Sequence, residues 1–406
     1  MYNEIDSREK NPVLVLGLSA TGLAVARILG SHGVKVYGTD TSSFQVARFS
    51  KYIRKPPFGF KVEMNSNFVK ELISFAQKFR LKPVLIPTTD EFIEFVSQNF
   101  YILSDYYVIQ ESLSPEICPR FLSKLEFYKL CKEYGVPHPK TCFLTGKEDV
   151  ETLIKMLRFP IIIKPHFIHK WRKFLKGRKV ILINNKDELK EIFNKGRELL
   201  HDSIVQEVVP GPDSNIYIFK GYFDRNSSPQ ACFVARKIRQ FPPYFGSFSL
   251  AETIENEEVK KLSIQFLRKV RFKGLCGTEF KYDPRDKTYK IIEINIRPQL
   301  WEGITQVSEC EVLWVAYNDL IGNKIEQNQK QINGIKFSYL SRDFLSAIIM
   351  LKDGKLSLKE WLTSYSKIKG DAIISFKDPL PAIGSVISSL WELYTYRIKP
   401  VLGIGK

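Results

Sequence analysis

Nowhere in the 406 residues is there a run of about 18 apolar side chains, the length a helix needs to cross a bilayer. The six cysteines, at 118, 131, 142, 232, 276 and 310, show no CxxC and no His-paired spacing. That excludes a zinc site and a disulfide framework, and a reduced, cytoplasmic interior is the expectation. The opening residues MYNEIDSREK carry charges of both signs and no apolar core, so no secretory leader is expected there. Internal repeats and low-complexity tracts are lacking. An RNP-like aromatic strand, a KH loop and a zinc finger are lacking too, and nucleic acid is not an expected partner. The nucleotide loop ending in GKT or GKS is missing as well, because the internal Gly-Lys pairs are followed by Glu148 and Leu356.

Positive charge is abundant. Lys and Arg number 61 against 44 Asp and Glu, a formal net charge of +17, which favours anionic partners without choosing among them. With 44% hydrophobic and 26% charged residues the composition is that of a globular chain, and 406 residues predict two to four domains.

PVLVLGLSATGLAVARILGSHGVKVYGTD reads as strand, glycine turn, helix and second strand ending at Asp40. GLSATG lacks the middle glycine of GxGxxG, and a turn that needs only tight packing is the better reading than a bound dinucleotide. A helix (NSNFVKELISFAQKFRL), a strand (KPVLIP) and a helix capped by Thr88 or Thr89 complete an open α/β sheet over residues 1–118. A mixed α+β pattern follows over 119–205 and 206–322. It opens with a helix capped near Ser123 and contains the strands PIIIKP, KVILI, SIVQEVV, NIYIFKGYF and QACFVARKIRQ. Residues 323–406 form a C-terminal extension of undecided structure.

The stretch YKIIEINIRPQLWEG sets Glu293, Asn295 and Arg297 on one face of a strand, with Ile292, Ile294 and Ile296 on the other. Upstream, GLCGTEFKYD alternates as well, and DPRDK between them reads as a hairpin loop. Pairing Asp283 with Tyr289 places Glu279 opposite Glu293. Two carboxylates facing each other across strands repel unless a cation lies between them. Magnesium, a hard cation held by one or two carboxylates and by phosphate oxygens, suits such a pair. RKIRQFPPYFGS, three cations followed by aromatics, suits a segment that closes over an acidic substrate through Arg236, Lys237 and Arg239.

In order and spacing these features resemble the ATP-grasp superfamily, in particular its carboxylate–amine ligases of the D-aspartate ligase and carbamoyl phosphate synthase large-chain type. The resemblance runs from residue 12 to about 322. It implies a Rossmann-like domain over 1–118, ATP-grasp lobes over 119–205 and 206–322, and an ADP-forming synthesis of an amide through an acyl phosphate. It further implies that Lys124 and Lys164 hold ATP phosphates, that Gln206, Glu207, Val208 and Val209 form the hinge read by adenine, and that Asp213 meets the ribose. Glu279, Glu293 and Asn295 match the magnesium ligands, with manganese able to substitute, and Arg297 matches the arginine that meets the transferred phosphate. Arg297, Lys237 and Arg239 are the expected catalytic cations and Arg236 the substrate-holding one. Two departures stand out. The phosphate-covering loop, HFIHKWRKFLKGRK, has one glycine and six Lys or Arg, and Ile296 takes the place of the usual proline.

The expected partners are small-molecule or peptide carboxylates and amines, and a homodimer is compatible with the pattern. A Mur-type peptide ligase, whose opening the first strand–turn–helix also resembles, is disfavoured by the missing GKT loop. A non-catalytic nucleotide-binding or membrane-surface protein is the alternative from another class. The tail SSLWELYTYRIKPVLGIGK has two readings: an arm packed on the core, or a basic, aromatic contact with an anionic membrane at its inner face.

Overall fold

Four consecutive apolar residues, Val13–Leu16, form a strand (β1) that is solvent-free on both faces, as a parallel strand covered by helices must be. The structure is a computed structural model that describes residues 10–145, 150–165, 180–196, 200, 203–325 and 330–393. The basic loop 166–178 and the tail 394–406, on which expectations were placed, lie outside the described residues. β1 sits in a parallel sheet of order β3-β2-β1-β4, with β2 Val36–Thr39, β3 Ile53–Arg54 and β4 Val84–Pro87.

The turn after β1 is shaped for packing. Gly17 has φ +103°, and a Cβ there would lie 2.3 Å from Thr88 Oγ1, whose hydroxyl donates to the Leu16 and Gly17 carbonyls. Asp40 closes the same turn by accepting from the backbone N–H groups of Leu18 (2.6 Å) and Ser42 (2.9 Å). The carboxylate that a dinucleotide ribose would need is thereby used by the loop itself.

A second sheet, antiparallel and ordered β5-β8-β6-β7, uses Thr141–Leu144, Ile161–Pro165, Ile181–Ile183 and Ser203–Glu207 for β5, β6, β7 and β8. The third has seven strands in the order β13-β12-β9-β10-β11-β14-β15. Its members are β9 Ile216–Phe223, β10 Pro229–Phe241, β11 Ser247–Thr253, β12 Gly274–Asp283, β13 Thr288–Asn295, β14 Lys336–Ser338 and β15 Ile368–Asp371. Strands from the stretch after 323 thus extend this sheet. The two faces of β1 tie the first sheet to the third: Leu14 and Leu16 share an apolar cluster with Phe219 and Phe223, while Val13 and Val15 share another with Ile218 and Tyr222.

In the β12–β13 hairpin Asp283 pairs with Thr288, one residue short of the expected partner. An irregularity between Glu279 and Phe280 absorbs the difference, and Glu279 still faces Glu293.

Candidate active site

Two cavities meet where the three sheets converge. The first, about 410 Å3, opens between the N-termini of the helices Ala20–Ser31 and Asp90–Gln98 and is bordered by Thr21, Asp90, Glu91, Arg297 and Arg342. The second, about 200 Å3, is walled by Ile162, Val180, Val209, Ile216 and Ile294. Lys124, Lys237, Glu279, Glu293 and Asn295 border both. An apolar slot therefore adjoins a polar cleft, and the facing carboxylates stand at the junction.

Hairpin register sets that junction. Glu279 on β12 lies opposite Glu293 on β13, and Asn295 donates to Glu293 Oε1 at 3.3 Å. Lys237 Nζ approaches Glu279 Oε2 to 2.9 Å and also donates to the Gly246 carbonyl (3.2 Å). Both Lys237 and Glu279 are buried, so their attraction is little screened by water. Among the described residues no trio of His, Cys, Asp or Glu gathers as a metal cage. The donor set is two carboxylates with an amide, which fits a hard cation that keeps sites for water and phosphate oxygens.

On the wall of the apolar slot Lys164 donates to Gln206 Oε1 at 2.9 Å, and Gln206 in turn donates to Thr141 Oγ1 (2.8 Å). Removal from water pushes the Lys164 ammonium down to about 8, against the pull of Glu293, and the charge of Lys124 pushes the same way as burial. The segment after Gln206 borders the slot through Glu207, Val208 and Val209. The Glu207 and Val208 N–H groups are taken by the Lys140 and Pro160 carbonyls, while that of Val209 has no partner among the described residues.

Arg297 reaches out of the hairpin to the first sheet, its Nε 2.7 Å from Asp90 Oδ1 at the start of the Asp90–Gln98 helix. Thr89 caps that helix by accepting from Phe92 N–H.

Three expected site residues are placed elsewhere. Arg236 alternates away from Lys237 and pairs with its cross-strand neighbour Glu252 at 2.9 Å. Arg239 follows an irregularity in β10 and is buried against Asp343 in a two-pronged contact of 3.0 and 2.7 Å. Neither borders either cavity, so the structure does not bring these two expected substrate-holding residues to the cleft. Asp213 is buried, accepting from Gln240 Nε2 at 2.8 Å, and burial raises its carboxyl above the ordinary value. Gln240 borders the slot where Asp213 does not. Sequence reasoning missed the cleft wall formed by Thr21, Glu91 and Arg342. The first two follow β1 and β4 directly, and in open α/β sheets ligands gather beyond the carboxyl ends of strands. Arg342 carries no such signal.

The comparisons agree with this architecture. No family model matches the chain. It is 27% identical over 319 residues to the D-aspartate ligase of Enterococcus faecium, covering 73% of each chain. Its fold superposes on an N5-carboxyaminoimidazole ribonucleotide synthetase in complex with ADP with a TM-score of 0.64 at 11% identity, over 86% of this chain and 87% of the other. It superposes on an L-amino acid ligase from Bacillus licheniformis with a TM-score of 0.56 at 12% identity, over 79% and 76% of the two chains. Each of these proteins is by name a ligase or a synthetase, and what this chain shares with the solved structures is the fold. In sequence and fold the chain is thus similar to ATP-grasp carboxylate–amine ligases.

Proposed function

We propose that the apolar slot takes the adenine of ATP, that its phosphates cross the junction, and that the acid is activated in the polar cleft. The observation that carries this reading is the facing pair Glu279 and Glu293 at the boundary of the two cavities, ringed by Lys124, Lys237 and Arg297. The Val209 N–H is the donor offered to adenine, and Lys124 and Lys164 hold phosphate oxygens. Glu279, Glu293 and Asn295 hold magnesium, with manganese as a substitute. A divalent cation held there supplies positive charge to the oxygens of the transferred phosphoryl group.

Arg297 steadies the phosphoryl group as a carboxylate oxygen of the acid attacks the terminal phosphorus and ADP leaves. The amine then attacks the acyl carbon of the acyl phosphate; the C–N bond forms, the C–O bond to phosphate breaks, orthophosphate leaves and the nitrogen gives up a proton. Lys237 positions Glu279 and adds a fixed positive charge at the junction. Hydroxylamine serves as a stand-in amine, with D-aspartate, the acid named in the relative, as the first probe. ADP, orthophosphate and hydroxamate in equal amounts are expected; AMP and pyrophosphate would overturn the acyl phosphate route.

The six cysteines are all unpaired thiols, which supports a cytoplasmic setting. No described helix is long and apolar enough to cross a membrane. A peripheral contact has its own support. Of eighteen well-exposed large apolar side chains among the described residues, eleven lie between Leu340 and Val386, so exposed apolar side chains are concentrated in this stretch of chain. Leu340, Phe344, Leu345, Ile374 and Val386 border one groove there, and Lys352, Lys355, Lys359, Lys367, Lys369 and Lys377 are exposed on the same stretch. Apolar surface amid lysines fits an anionic bilayer surface, the occupant we assign to it.

A further inference from the structure

The ligase reading leaves one cation of the polar cleft without a task. Arg342, near the start of the Leu340–Lys352 helix, borders the same cleft as Arg297, Glu279 and Glu293. Its guanidinium lies over the Tyr339 ring at 4.4 Å from the centroid, and among the described residues it has no carboxylate partner. Arg297 by contrast is already engaged by Asp90.

The next residue explains how Arg342 is held. Asp343 is fully buried and accepts from Arg239, from Ser249 Oγ at 2.8 Å and from the Tyr365 hydroxyl. Four residues before Asp343, the Tyr339 N–H donates to the Ser249 carbonyl at 2.7 Å. The backbone on both sides of Arg342 is therefore clamped to β10 and β11, and the ring beneath the guanidinium limits its motion. A planar, permanently charged fork held ready at the rim of a cleft is suited to two-pronged capture of a carboxylate, as a lysine is not. Little side-chain entropy remains to be lost on binding.

We propose that Arg342 binds the non-reacting carboxylate of a dicarboxylic acid and so selects that class of substrate. This rests on the ligase reading, in which the other carboxylate accepts the phosphoryl group beside Glu279, Glu293 and Arg297. Arg239, which the chain order offers as the carboxylate holder, acts at one remove by fixing Asp343 and with it the neighbouring arginine.

The test compares acids that differ by a single carboxylate. ADP release with Mg–ATP and hydroxylamine is measured for aspartate and alanine of each hand, in the wild type, Arg342→Ala and Arg342→Lys, with ATP binding measured on each protein. The wild type is expected to prefer aspartate of one hand over the matching alanine. Arg342→Ala should raise KM for that aspartate by about 10- to 100-fold, the range for losing a charge-assisted hydrogen bond. KM for ATP should stay within about twofold, a split that a merely structural lesion would not give, and Arg342→Lys should fall between. An unchanged KM for aspartate in Arg342→Ala overturns the proposal, as does a wild type that uses alanine as readily as aspartate. Wild-type protein that binds ATP yet releases no ADP with either aspartate overturns the proposal while the ligase reading stands. Wild-type protein that does not bind ATP overturns both.

Discussion

In the proposed reaction Glu293 is the residue on which the chemistry turns, because its carboxylate faces Glu279 and needs a cation to make that closeness tolerable. Glu293→Gln keeps the shape and removes the charge; turnover is expected to fall by about 100-fold or more, with the melting temperature unchanged or raised, as checked by ADP release and thermal unfolding. Lys164 gives a pH signature. Burial lowers its ammonium to about 8 in the free protein, and in the proposed complex bound phosphate raises that value, so the contribution to ATP affinity is complete below about pH 8, declines above it and is lost as pH passes through the raised value of the complex. Titrations of ATP at pH 7 and pH 9 should show weaker binding at the higher pH in the wild type, and Lys164→Gln should flatten the difference. The buried pair Lys220 and Glu302, 2.6 Å apart, makes a different prediction. Lys220→Met leaves Glu302 charged and unpaired and should cost about 3–5 kcal/mol in denaturant unfolding, while adding Glu302→Leu should recover much of it. The facing glutamates were legible in the sequence, since alternation and a hairpin loop suffice to oppose them. The fate of Arg239 was not, because its partner Asp343 lies 104 residues further on.

The elements that carry the site are held by local rules a reader can find in the chain. Asn256 caps the Glu257–Lys269 helix, Ser123 caps Lys124–Glu133 and Thr89 caps Asp90–Gln98, each through its side-chain oxygen. The turn after β1 is the most constrained. Gly17→Ala would force an L side chain to φ +103° and against Thr88, and should cost about 1–3 kcal/mol in thermal unfolding, with the polar cleft deformed beside it. The tail resisted reading for a physical reason: β14 is three residues and β15 four, too short for alternation to declare itself, and they enter the sheet only by pairing with β11 and with each other. The apolar stretch from Leu340 to Val386 is likewise visible only once the helices show which side chains stay exposed. If it meets anionic lipid, the protein sediments with phosphatidylserine vesicles at low salt, and a Phe344→Ser, Leu362→Ser variant sediments less while its ADP release in solution is retained. Failure to sediment, with a dimer that dissociates in the same variant, would assign the surface to a second copy instead.

At the scale of the whole molecule, three sheets supply different parts of the one reaction centre we propose. The parallel sheet brings helix N-termini and Asp90 to the polar cleft, the four-stranded sheet brings Lys164 and Gln206 to the apolar slot, and the seven-stranded sheet brings the two glutamates between them. Such a division keeps nucleotide and acid in adjoining compartments, with cations concentrated where phosphate must pass. The central claim is that phosphate leaves carrying an oxygen from the acid, and isotope transfer tests it most directly. With an acid labelled by 18O in its reacting carboxylate, ATP and hydroxylamine, mass spectrometry of the released orthophosphate should find one labelled oxygen per phosphate; orthophosphate without the label, alongside labelled acid converted to hydroxamate, would contradict the account.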